Sequence, residues 1–216
     1  MEPWQLEALT SLRRLIPGRV SVHGSVLTPD LLDGWSDLDA TITTEVTVAA
    51  GGLLDAPIWA AQQAHDERGQ LLRLVTVDGR RFDLRATGAP MLAPELPVDN
   101  DIRFDAALAA TRLGRGNALI GLHLVMGILR EALVLRMVLA DRTLGTTHHR
   151  HATRQDDDTC AAQAVVARAL EPTMALDAYN LYAQWRRVNE PDYRPEPQGL
   201  VELIRRGAAD HTSTPT

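Results

Sequence analysis

HGSVLTPDLLDGWSDLDATI, residues 23–42, decides how the chain is read. A Gly-Ser pair, Gly24-Ser25, closes a short alternating run, RVSVH. Eleven residues separate it from Asp37-Leu38-Asp39, after which the chain turns β-branched. Alternate residues of a strand share one face, so Asp37 and Asp39 point the same way. Two carboxylates that close repel unless something neutralises them. A divalent cation does so, and Mg²⁺ suits carboxylates and also takes phosphate oxygens as ligands. Asp83, in RRFDLRA, is placed to supply a third carboxylate from a neighbouring strand. Gly24-Ser25 permits close backbone approach and offers a hydroxyl and N–H groups to a phosphate. Such a turn beside a carboxylate-held metal is equipment for displacement at phosphorus.

Working outward, residues 4–16 carry apolar groups at helical spacing, and Pro17-Gly18 ends that helix. Strands are expected over 19–23 and 39–48, and a helix over 55–68. Leu71–Val77 and Arg81–Thr87 flank Asp78-Gly79, a strong hairpin signal. GAPMLAPELP, residues 88–97, holds three prolines and reads as a linker. Beyond it the pattern is helical, over 101–113, 117–142, 159–170, 173–189 and 198–206, with a polar loop at 148–158. The fold expected is therefore α+β. A mixed sheet flanked by helices occupies residues 1–89, a Pro-rich linker 90–98, a helical bundle 99–207 and a disordered tail 208–216.

Composition bounds the function. With 45% hydrophobic and 23% charged residues among 216, the balance is that of a globular chain with a real core. The N-terminus reads as an amphipathic helix rather than a signal peptide, the 117–142 run as a bundle helix rather than a membrane span, and one cysteine suggests a reducing, cytoplasmic setting. A net charge of −6 disfavours nucleic acid as partner and suits a cationic small molecule. All 22 basic residues are Arg, so no Walker or Schiff-base lysine exists, and any phosphate must be met by Arg, backbone, hydroxyl or metal.

Gly24-Ser25, the eleven-residue gap, Asp37-x-Asp39 and a later strand carboxylate resemble the signature of the nucleotidyltransferase superfamily related to DNA polymerase β. The helical half resembles that of antibiotic nucleotidyltransferases acting on aminoglycosides or lincosamides. The resemblance implies that Asp37 and Asp39 bind metal, that Asp83 binds metal or assists deprotonation, and that Ser25 touches the phosphates of ATP or another NTP. It implies transfer of AMP to a hydroxyl of a cationic acceptor. The chain lacks the basic residue that often follows Gly-Ser in such enzymes, which leaves Arg81, Arg85 or an Arg of the helical half to meet the triphosphate.

On the long apolar helix, His123, Arg130 and Glu131 share a face. Glu131 is either half of a buried ion pair or the base that deprotonates the acceptor. The apolar circumference of that helix also suits a bundle core or a homodimer. Asp83 has a plainer reading as an exposed strand carboxylate paired with Arg81 or Arg85, and Asp37 and Asp39 as a solvated turn. His148, His149 and His151 match no closed zinc site. An alternative function is a nucleotidyltransferase fused to a helical ribonuclease-like toxin–antitoxin module, because Arg142 and His148 have the spacing of such ribonucleases. A third is a non-catalytic binding module.

Overall fold

The computed structural model describes residues 3–28, 30, 32–145 and 151–211. It is an α+β chain of two compact units, one formed by residues up to Phe104 together with those from Val201 onward, the other by Asp105–Leu200.

The first unit opens with helix α1 (Trp4–Leu15), which buries Leu9 and Leu12. Strands β1 (Gly18–Val22), β2 (Leu38–Thr44), β4 (Ile58–Asp66), β5 (Gly69–Thr76) and β6 (Arg81–Gly88) form one sheet, in the order β1-β2-β6-β5-β4. All neighbours are antiparallel except β2 and β6, which run parallel, so the sheet is mixed. Short strands β3 (Val48–Ala49) and β7 (Met91–Leu92) pair parallel in a second sheet. Period-two alternation sends Leu38, Ala40, Ile42, Leu72, Leu74, Phe82 and Leu84 into the core with α1. It leaves Asp39, Thr41, Arg81, Asp83 and Arg85 half-buried on the opposite face.

Residues 55–68, expected as a helix, are instead a bend followed by β4 and its turn. Ala and Gln favour helix locally, but pairing along β5 from Ile58↔Thr76 to Asp66↔Gly69 overrides propensity. Arg68 N–H donates to Asp66 Oδ1 (2.8 Å), and Gly69 supplies a φ of +115° at the turn. On the outer edge of β4, Asn100 donates from Nδ2 to Ala61 O (2.8 Å) and accepts Ala61 N–H at Oδ1 (2.9 Å). This blunts an exposed strand edge.

The unit boundary also differs from the expected linker at 90–98. Met91 is buried, and its N–H and C=O are both held by the Gln70 amide at 2.7 and 2.8 Å. Asp99 and Arg103 form a buried ion pair (2.7 Å) with the guanidinium over Trp59. Helix α2 (Asn100–Gly114) thus begins in the first unit. Helix α6 (Gln198–His211) returns to it, and a Cβ on Gly34, Gly79 or Gly207 would overlap α6 backbone or, for Gly207, the Trp35 ring. Residues 208–211 of the expected tail are helical, and 212–216 lie outside the described residues.

In the second unit, helix α3 (Ala118–Leu144) packs on α5 (Pro172–Asn189), with α4 (Thr159–Val166) beside them. Arg136 lies over Trp185, and Asn189 Nδ2 donates to Leu135 O (3.1 Å). Among the described residues α3 alone is long and apolar enough to cross a membrane by length and composition. No strand of the main sheet comes from the described residues of 100–200. His148 and His149 lie outside them.

Candidate metal centre

The parallel pairing of β2 and β6 sets Asp39 directly opposite Asp83, and Asp37 precedes β2 by one residue. A tight turn holds Asp37 in place. Asp33 Oδ1 accepts from Ser36 Oγ (2.7 Å) and Trp35 N–H (3.1 Å), and Trp35 is buried. One carboxylate oxygen from each of Asp37, Asp39 and Asp83 lies within 4.8 Å of the others. Three hard oxygen donors, two from paired strands and one from the turn before β2, fit a small divalent cation, whose oxygen ligands sit ~2.1 Å away for Mg²⁺ and somewhat further for Ca²⁺.

Gly24 takes a φ of +66°, and a Cβ there would overlap Asp39 Oδ2, so the glycine makes room for that carboxylate. Ser25 is half-buried in the 3-10 turn Gly24–Leu27. His23 N–H donates to Asp39 O (3.0 Å), and His23 Nε2 meets Thr41 Oγ1 at 2.8 Å. Gly24→Ala is therefore expected to weaken cation binding more than it unfolds the chain, read by titration calorimetry beside a thermal melt.

Two arginines flank the cluster. Arg81 Nη2 donates to Asp37 Oδ2 (3.0 Å), and Arg73 Nε lies 3.3 Å from Asp83 Oδ2. Asp83 thus has an arginine partner in Arg73, and the charge of Arg81 also acts on it. Arg85, expected at the triphosphate, shares the face of Asp83 and pairs with Asp66 (2.6 Å). Arg73 was missed by sequence reasoning, yet the hairpin register counted outward from Asp78-Gly79 places it opposite Asp83.

Burial pushes the Asp39 carboxyl up to about 6, with Asp37 and Asp83 adding to it and Arg81 and His23 opposing. Burial, then Asp37, also raises Asp83, against Arg81 and Arg73. Asp39 titrates near 3.8 when exposed, so without metal its neutral form favours the fold. That stability is full below about pH 4 and is lost as pH rises through 6. A bound cation reverses the preference by favouring the anion. Mg²⁺ or Mn²⁺ should therefore raise Tm more at pH 7.5 than at pH 5, and Asp39→Asn should remove the difference. Differential scanning fluorimetry with and without the cation checks this.

Glu131 lies on α3 in the other unit and is not part of the carboxylate cluster. It already accepts from Arg130 at 2.9 and 3.2 Å on the helix surface, so the buried or unpaired charge expected there is absent. A groove of about 560 Å³ along α5, lined by Asn180, Gln184, Arg187 and three prolines, contains none of the expected site residues.

Comparison with protein-family models and with curated proteins finds no match to the chain.

Proposed function

We propose that the chain is a metal-dependent nucleotidyltransferase that transfers a nucleoside monophosphate, AMP from ATP, to a hydroxyl of a small cationic acceptor of the aminoglycoside or lincosamide kind. The observation that carries this reading is the convergence of Asp37, Asp39 and Asp83 within 4.8 Å, beside the Gly24-Ser25 turn that the polymerase β-like signature requires. In this reading the three carboxylates hold Mg²⁺, which supplies charge neutralisation and orientation at the α-phosphate. Ser25 offers its hydroxyl, and the turn its N–H groups, to phosphate oxygens. Arg81, Arg73 and Arg85 line the same sheet face and supply the cationic groups that lysine supplies elsewhere. With their charge balanced by a cation, the carboxylates would leave the arginines free to attract an anionic triphosphate. In this reading Asp83 also assists removal of the proton from the acceptor hydroxyl, as the resemblance implies.

The test is incubation with α-labelled ATP, Mg²⁺ and a panel of aminoglycosides and lincosamides, followed by chromatography. The expected result is label on an acceptor with stoichiometric pyrophosphate. Absence of nucleotide consumption across all four NTPs and the panel, under saturating Mg²⁺ or Mn²⁺, overturns the reading. RNA cleavage without ATP would favour the ribonuclease-like alternative.

A further inference from the structure

The outward face of α3 carries a self-complementary pattern. The helix buries Gly121, Val125, Ile128, Leu129, Ala132 and Ala140 on one side, where it packs on α5. At 100° per residue, the opposite side is centred on Gly127. Along it lie Ile120, His123, Gly127, Glu131 and Val134, spaced three, four, four and three residues apart. The order reads apolar, imidazole, glycine, carboxylate, apolar, and the spacing is the same from either end. Ile120 is 43% exposed and Val134 41%, Leu119 on the shoulder is 89% exposed, and Glu131 keeps 43% of its side chain in solvent. Only 28% of the apolar window of α3 is buried. Leu119, Ile120, Met126 and Val134 are all exposed along α3, and exposed apolar side chains grouped in this way mark an interaction surface.

We infer that this face is covered by a second copy of the chain, its α3 lying antiparallel with the twofold axis at Gly127. A C₂ interface must be self-complementary, residue i meeting j and j meeting i. Here Ile120 meets the partner's Val134, and His123 meets the partner's Glu131, each contact occurring twice. The Glu131 carboxylate has lone pairs beyond those Arg130 uses, so it accepts the imidazole N–H as well. Beyond the adjoining residues of its own helix, nothing lies within 4 Å of a Cβ built on Gly127, so two helices can approach closely there. A lipid bilayer is the poorer occupant, because it would take Arg130 and Glu131 into hydrocarbon at mid-helix, whereas an interface leaves Arg130 at its watery rim. The inference is independent of the proposed transfer activity.

The test uses the full chain with exposed Cys160 changed to Ser. Light scattering coupled to gel filtration should give a dimer at micromolar concentration. Under oxidation, Gly127→Cys should form a covalent dimer. Leu119→Cys should not, since its partner copy lies ~24 Å along the antiparallel helix, beyond disulfide reach. His123→Glu sets carboxylates against each other and should weaken the dimer by about tenfold or more, and His123→Glu with Glu131→His should restore it. A monomer at these concentrations, cross-linking through Leu119→Cys, failure of the double variant to restore a dimer, or flotation of the chain with phospholipid vesicles overturns the proposal.

Discussion

Asp39→Asn, and separately Asp37→Asn, should lower the proposed nucleotidyl transfer by about three orders of magnitude, equivalent to ~4 kcal/mol of barrier. The three carboxylates share one cation-sized space, and each contributes an oxygen. An amide is a weaker ligand for a hard cation and leaves one negative charge fewer to hold it. The substitution conserves shape, and at Asp39 it removes the cost of burying a charge and, after that, the repulsion from Asp37 and Asp83, which together push Asp39 up to about 6, so the metal-free fold should be as stable as wild type or more so at neutral pH. Loss of turnover with an unchanged or raised Tm is therefore the expected pair of results. Near wild-type turnover of either variant under saturating Mg²⁺ would refute the metal assignment. A Tm that collapses together with activity would mean that Asp39 serves the fold instead.

Gly79→Ala should be the most damaging of the small substitutions, by about 3 kcal/mol. Gly79 closes the β5–β6 hairpin with a φ of +79°, where an L-residue costs ~1–2 kcal/mol. Its Cβ would also overlap the α6 backbone at Glu202 and Leu203, and overpacking a fixed contact costs about 1–3 kcal/mol. The same turn is tied to α6 by Arg206, which donates from Nε to Asp78 O at 2.5 Å. Neither the hairpin nor the helix can give way without breaking the other. For a chain of this size the loss corresponds to roughly 10 °C in Tm. Gly51→Ala is the control, because its Cβ meets nothing within 4 Å, and it should change Tm by less than about 2 °C. Equal melting of the two variants would show that α6 does not hold the hairpin.

Much of the first unit was legible because its signals are local. Pro17-Gly18 stops α1, Asp78-Gly79 turns the hairpin, and alternation marks β1, β2, β5 and β6. The acidic triad was legible for the same reason. Its first two members are alternate residues, and its third lies at a fixed distance from a readable turn. Arg73 was legible in principle too, since antiparallel register propagates from that turn. The helical reading of 55–68 failed where the local signal pointed the wrong way. IWAAQQAHD is composed of residues comfortable in a helix, and only the hydrogen bonds of β5 and the Asn100 amide make it a strand.

What the sequence determined by itself, then, was what neighbours in the chain impose on one another: the turns, the alternation, the α+β order of elements and the chemical character of a three-carboxylate site. What only the tertiary structure decided was long-range. The parallel register that sets Asp39 beside Asp83 joins strands more than forty residues apart. The return of α6 onto Gly79 and Trp35 moves the last helix into the first unit. The pairing of Glu131 with the adjacent Arg130 rested on side-chain rotamers, which sequence spacing does not fix. Hydrogen-bond partners and steric fits between distant segments are set by closing the chain on itself, and no local pattern carries that information.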